Sequence, residues 1–226
     1  MRIVVALLIL LAGTKPAHGG GAPTWSLLDL GTPFVSALAA DPTNPNRLYV
    51  GTWSGFSVSE DAGATWTARQ FRLPDPSRCP VQAIAFDARR PSRVLIGLGM
   101  RLNSTRQCNA FQSAHRGRTW HSLRLPDEDV TSIAVLPVRP PSLLAGTTGD
   151  GSEVAGALLK HSWRPRWQAI LTNADFDFDV VAVIIDPRDP RVLYVATNNF
   201  GIVKSVDGGG SWTPINDGLP RLAGDG

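Results

Sequence analysis

Three octets of one spacing constrain this chain more than any other feature in it. Ser59-Glu60-Asp61-Ala62-Gly63-Ala64-Thr65-Trp66 reads Ser-x-Asp-x-Gly-x-Thr-Trp. Ser205-Val206-Asp207-Gly208-Gly209-Gly210-Ser211-Trp212 repeats it with Ser for Thr, and Ser113-Ala114-His115-Arg116-Gly117-Arg118-Thr119-Trp120 repeats it with His115 at the Asp position. An Asp side chain accepts hydrogen bonds from the backbone of the turn it opens. Gly supplies a positive φ without a Cβ clash, and Ser and Thr hydroxyls satisfy further turn groups. The Trp starts the next strand and brings a large apolar face to it. Each octet is therefore expected to be a self-bonded hairpin turn, and a recurring turn implies a recurring sheet.

The flanking sequence recurs with it. Val35–Asp41, Val81–Asp87, Val130–Val135 and Val181–Asp186 are apolar strands. Each leads through a Pro-containing turn to a second apolar strand: Leu48–Thr52, Val94–Gly97, Leu143–Thr147 and Leu193–Thr197. Apolar runs rich in β-formers indicate strands covered on both faces. A third strand runs from Gly55 and from Gly201 into an octet, and a fourth starts at the Trp. Gly156 stands as far before Trp167 as Gly55 does before Trp66, which exposes a degenerate octet at Lys160–Trp167. The phase-marking Trp66, Trp120, Trp167 and Trp212 recur every ~45–54 residues, the length of a four-stranded propeller blade.

The expected fold is thus all-β: a β-propeller of four-stranded antiparallel blades over about residues 33–71, 80–125, 129–172 and 180–216, within a domain spanning 20–226. Trp25–Leu30 matches the same phase, so 24–30 reads as a leading outer strand. Four blades could close as a ring, pair with a second chain, or form part of a longer propeller; a truncated, open arc is the expectation, with self-association of its exposed end blades possible in principle.

The 22 Gly, 18 Pro and 7 Trp in 226 residues fit short strands and tight turns. A net charge of +3, two of whose positives are Arg2 and Lys15, gives no nucleic-acid footprint. Arg2, the apolar run Ile3–Ala12 and Ala17-His18-Gly19 read as a signal peptide over 1–19 cleaved near Gly19, which predicts a secreted or periplasmic protein. The alternative is a buried strand or a membrane anchor, but the run is shorter than the roughly 20 residues a span needs. Export permits a disulfide between Cys79 and Cys108, with two free thiols as the alternative. Neither the cysteines nor the four histidines show a ligand spacing, so no metal or cofactor is expected.

The octets and their strands resemble the Asp-box, or bacterial neuraminidase repeat, over Thr24–Pro220. Propellers of this superfamily include sialidases, xyloglucanases, the sortilin ectodomain and photosystem II assembly factors. The Asp-Pro turn, the Leu-Tyr-Val strand and the Gly-Leu-Pro exit look closest to the xyloglucanase, sortilin and assembly-factor type. The resemblance implies that octet turns lie opposite the ligand face. Ser59, Asp61, Gly63, Thr65, Trp66, Ser113, Gly117, Thr119, Trp120, Ser205, Asp207, Gly209, Ser211 and Trp212 are then structural. The ligand face is built by the loops between strands two and three and by those from strand four to the next strand one.

Those loops hold Asp127, Asp129, Asp150 and Asp177, the candidates for a two-carboxylate glycosidase pair, alongside Glu128, Glu153, Asp175 and Asp179. A solvated acidic loop, or a site for a hard cation, is the competing reading. Xyloglucanases carry a catalytic Asp just after strand two; Trp53 and Asn198 stand there instead. The mature chain has no Arg-Ile-Pro motif of the sialidase type. Trp53, Arg101 and Asn198 are candidate ligand contacts. The reading that follows is an exported, non-catalytic scaffold binding protein or carbohydrate on the strand-two/strand-three loop face. A glycoside hydrolase of the xyloglucanase or sialidase-like class and a truncated structural fragment are the alternatives.

Overall fold

The computed structural model describes residues 34–53, 55–69, 79–99, 108–126, 129–148, 156–162, 166–172 and 179–219. The expected signal peptide, the leading strand 24–30 and Arg101 lie outside them, as do Asp127, Asp150 and Asp177. Among the described residues all regular structure is β. Sixteen strands form four antiparallel sheets, each in chain order from an inner to an outer strand. The first sheet holds β1 (Val35–Asp41), β2 (Asn44–Thr52), β3 (Gly55–Ser59) and β4 (Thr67–Arg69). The second holds β5 (Val81–Asp87), β6 (Arg90–Leu98), β7 (Ala110–Ser113) and β8 (His121–Ser122). The third holds β9 (Asp129–Leu136), β10 (Ser142–Thr148), β11 (Ala157–His161) and β12 (Trp167–Thr172). The fourth holds β13 (Val180–Ile185), β14 (Leu193–Thr197), β15 (Ile202–Ser205) and β16 (Thr213–Pro214).

An aspartate ends the inner strand in three sheets and ties the turn to strand two. Asp41 Oδ1 accepts from the N–H of Thr43 at 2.8 Å and from its hydroxyl at 2.7 Å. Asp87 and Asp186 accept in the same way from the N–H groups of Arg89 and Arg188. Burial works against the charge on Asp41, but the two Thr43 bonds and Arg47, 3.1 Å away, outweigh it and hold the carboxyl below its ordinary value.

The sheets pack face to face in chain order through three separate cores. Tyr49, Phe56 and Val58 of the first sheet meet Val81, Val94, Ile96 and Leu98 of the second. Leu95 and Ala110 of the second meet Val130, Ile133, Leu143 and Ala145 of the third. Leu144 and Leu158 of the third meet Val180, Leu193, Val195 and Val203 of the fourth. Every junction carries the same close contact. A glycine in strand two, Gly51, Gly97 or Gly146, faces a valine at the head of the next inner strand. A Cβ on those glycines would stand 2.6 Å from an atom of Val81, 2.6 Å from Val130 and 2.3 Å from Val180, respectively. A hydroxyl reinforces two of these junctions. Ser36 Oγ donates to the carbonyls of Gly51 and of Val81; Thr131 Oγ1 donates to those of Gly146 and Val180.

No extensive contact joins the first sheet to the last among the described residues. The two end faces are exposed, as expected for an open arc: Leu38 on the first is 62% exposed and Ile184 on the last 52%. The phase-marking tryptophans are half-buried rather than fully enclosed. Trp167 Nε1 donates to Leu123 O at 3.0 Å and Trp212 Nε1 to Ile170 O at 2.8 Å, each tying its sheet to the sheet before it. Cys79, ahead of β5, and Cys108, ahead of β7, are 29 positions apart and joined in a disulfide that packs against the first core.

Gly97→Ala places a methyl inside Val130 at a junction that cannot widen without moving a sheet, so it is expected to lower stability by about 1–3 kcal/mol in chemical denaturation. Tyr49 tests the opposite effect: its ring is fully buried, its hydroxyl meets no hydrogen-bond partner among the described residues, and burial pushes its pKa up to about 12. Tyr49→Phe removes that stranded hydroxyl and is expected to leave the Tm unchanged or raise it.

Candidate functional site

The octet turns bond inwardly and leave little for a ligand. In the first, Ser59 Oγ donates to Asp61 Oδ1 at 2.7 Å and accepts from the N–H of Gly63 at 2.8 Å. Asp61 then accepts from the N–H and the hydroxyl of Thr65 at 2.8 and 2.6 Å. The last octet repeats the set: Ser205 to Asp207 and from Gly209, with Asp207 accepting from Gly210 and from both groups of Ser211. Gly63, Gly117 and Gly209 take φ of 95°, 82° and 96°, a region closed to side chains without strain. In the middle octet Ser113 still accepts from Gly117, and His115 Nδ1 stands 3.1 Å from Thr119 Oγ1 in place of the carboxylate bonds. The Thr65 hydroxyl and N–H and the Ser59 hydroxyl hold Asp61 down to about 2; the Ser211 and Ser205 hydroxyls and the Ser211 N–H lower Asp207 as well. A carboxylate held ionised and fully occupied is unsuited to donate a proton to a leaving group.

The opposite ends of the strands build a second and more open constellation. Val35 pairs with Thr52, and Val180 with Thr197. The residue before each inner strand therefore meets the residue after strand two at one rim of the sheet. In the first sheet these residues are Phe34 and Trp53; in the fourth, Asp179 and Asn198. Asp129 and Thr148 are paired at this rim in the third, and in the second the N–H of Gly99 donates to Pro80 O at 3.1 Å.

Phe34 and Trp53 stack with ring centroids 4.9 Å apart and planes inclined by 27°. They stay 54% and 39% exposed, an aromatic shelf open to solvent. The loop beneath is held by Thr52, whose hydroxyl donates to Gly55 O at 3.3 Å. Thr197 does the same to Gly201 at 3.0 Å and accepts from the N–H of Phe200. Asn198, placed by sequence as a ligand contact, is a loop clasp. Its amide donates to Asp179 Oδ2 at 3.0 Å, its Oδ1 accepts from the Asp179 N–H at 2.7 Å, and its own N–H donates to Asp179 O at 3.1 Å. Asp129 is half-buried at the start of β9, against Gly99 of the preceding sheet.

The rim thus joins one predicted residue, Trp53, to Phe34, which sequence reasoning passed over. The signal was available: Phe34 precedes an inner strand by one residue and falls opposite Trp53 once strands one and two are paired. Asp179 was read only as part of an acidic run, yet it occupies the same register position as Phe34. Chemically the shelf suits an apolar face such as that of a sugar ring, with Asp129 and Asp179 as polar groups further along the rim. No cluster of three His, Cys, Asp or Glu suited to a metal is present among the described residues, and no helix long and apolar enough to cross a membrane is found among them.

Four sheets in this order, each strand antiparallel to the last, define a partial β-propeller. No family model matches the chain. Over 199 residues it is 30% identical to a protein of Neosartorya fischeri named "Probable oligoxyloglucan-reducing end-specific xyloglucanase", a match covering 80% of this chain and 24% of that protein. Among solved structures, the GH74 xyloglucanase of Xanthomonas campestris is 25% identical with a TM-score of 0.59, over 79% of this chain and 29% of that one. An ancestral GH74 enzyme is 20% identical with a TM-score of 0.65, over 86% of this chain and 26% of that one. The chain spans about a quarter of the length of the curated relatives it matches.

The octet carboxylates are expected to matter for stability in one pH range. Asp61 has its folded pKa near 2, below its ordinary 3.8, so its contribution is complete above about pH 4 and lost as pH falls toward 2. Asp61→Ala should lower the Tm at pH 7, and the gap to the unaltered protein should close between about pH 4 and pH 2 in thermal unfolding followed by circular dichroism.

Proposed function

We propose that this chain is part of an exported Asp-box propeller that binds a glycan without cleaving it, at the rim where strand two passes into strand three. The observation that carries the reading is the stacked, solvent-facing pair Phe34–Trp53. Trp53 stands at the position where the xyloglucanase resemblance calls for an acid, and its counterpart Asn198 is bonded to Asp179. The likeness to xyloglucanases supports a carbohydrate over a protein as the ligand. In this reading the octets are Asp-boxes that hold the blades, the apolar leader 1–19 directs export with cleavage near Gly19, and the blades occupy about 33–71, 80–125, 129–172 and 180–216. Arg101, in the loop closed by the disulfide, is a further candidate contact.

A second reading is favoured by the 30% identity to a protein named as a xyloglucanase. In it the chain supplies part of a glycoside hydrolase, with Asp129 and one of Asp127, Asp150 or Asp177 as the acid and base. Two carboxyls about 5–10 Å apart would be required.

One experiment separates the two. Xyloglucan oligosaccharides are titrated against the full chain by calorimetry, and release of reducing ends is followed in parallel. The scaffold reading expects binding without hydrolysis, weakened about tenfold or more by Trp53→Ala as one aromatic stacking contact is lost. Hydrolysis abolished by Asp129→Asn would establish the enzyme instead. Absence of both binding and hydrolysis would reject the glycan reading.

A further inference from the structure

The face carrying the octets holds a second feature, confined to one sheet. The described residues of the second sheet contain six arginines, Arg89, Arg90, Arg93, Arg116, Arg118 and Arg124, against a single acid, Asp87. With a net charge of +3 for the whole chain, the positive charge is concentrated there. All but Arg124 lie in or beside the β5–β6 turn and the octet, which adjoin at one end of the sheet: the N–H of Arg116 donates to Ser92 O at 2.9 Å.

The first sheet shows what is missing. There Arg47 is bound by Glu60 at 2.6 Å and by Asp41 at 3.1 Å, and Asp61 supplies a further negative charge. Arg93 occupies the register of Arg47, but Ala114 stands where Glu60 does and His115 where Asp61 does. Arg93 is held instead by a neutral group: its Nε and Nη2 donate to Gln112 Oε1 at 3.0 and 2.6 Å, with Asp87 more distant at 3.5 Å. The fourth sheet also neutralises its turn arginine, Arg191, through Asp189 at 2.9 Å. Arg116 lies 3.7 Å from Asp41, while among the described residues no ion pair holds Arg90 or Arg118. Beside them is a hollow of about 370 Å³ lined by Arg90, Ser92, Arg93, Gln112, Ala114 and His121. The field reaches the next sheet: desolvation and then Arg93 lower the pKa of His161.

We propose that this hollow and the arginines around it form a binding site for an anionic polysaccharide, seating a sulfate or carboxylate group of the chain between Arg90, Arg93 and His121. Arg93 is oriented by Gln112, Ser92 offers a hydroxyl, and Arg118 and Arg116 extend the positive track along the octet turn. A nucleic acid is the less favoured polyanion, because no Phe, Tyr or Trp lines the hollow for a base to stack on. The site stands on its own observations and does not depend on the glycan reading of the Phe34–Trp53 rim, from which it is separated by the length of the strands.

The test is binding of the full chain to a sulfated dextran oligosaccharide, to polygalacturonate and to single-stranded DNA, each at low and at physiological salt. The expected result is binding of at least one acidic glycan, weakening about tenfold or more on raising the salt. The variant Arg90→Glu/Arg118→Glu should reduce that affinity about tenfold or more. The control Arg188→Glu/Arg191→Glu makes the same change in net charge on the fourth sheet and should leave it nearly intact. Both pairs are exposed, so circular dichroism and Tm should match the unaltered protein. An equal loss in the control, tighter binding to DNA than to either glycan, or no binding at low salt would each overturn the site. Comparing dextran sulfate with polygalacturonate distinguishes a sulfate from a carboxylate as the group seated.

Discussion

The close approach of each glycine in strand two to the valine of the next inner strand governs how the sheets sit on one another. Gly51, Gly97 and Gly146 leave no room for a methyl group, so the inner strands lie nearer together than side chains on both faces would allow. That closeness brings Ser36 and Thr131 within reach of the neighbouring backbone, and it gathers the residues of the opposite edge into one rim. The last sheet breaks the rule. Ala196 stands in the glycine position, Ile184 where the other sheets carry Ala39, Ala85 and Ala134, and Val181 where a hydroxyl would clasp a neighbour. Its outer face is bulkier than the three faces that are covered.

Within the octets, serine is the constant. Ser59, Ser113 and Ser205 are all buried, and each accepts from the N–H of the octet glycine. The aspartate adds bonds to the far side of the turn where it is present, and His115 replaces them without loss of the strand pairing that follows. The turn is therefore defined by a buried hydroxyl and a glycine at positive φ, with the carboxylate as reinforcement. This explains how the second sheet could exchange an acid for a base and become the positive region of the surface.

The fold was legible because its signals are local and repeated. Apolar strands, Asp-opened turns and phased tryptophans each specify a hairpin within a few residues, and four copies in one order leave few architectures open. The rim was less legible. Trp53 could be singled out as an aromatic in a loop, but its stacking on Phe34 depends on the pairing of Val35 with Thr52, and so on a register that sequence implies only indirectly. Asn198 looked equally available and is instead absorbed by Asp179, a contact across 19 residues that no motif announces. The acidic loops read as candidate catalysts come from different blades, and the strand periodicity that marks the blades does not fix how two such loops approach one another.

The register shift at the head of the inner strands has a consequence of its own. One residue bulges out between Val35 and Ala37, between Val81 and Ala83 and between Val180 and Ala182. Val81, Ile84 and Phe86 consequently all face the same neighbour, although simple alternation would send Val81 to the other side. The extra residue resets the in-out phase of each blade at its first step. Length at that point is thus a coding variable: losing one residue would turn the wedge of the blade over while leaving its composition untouched.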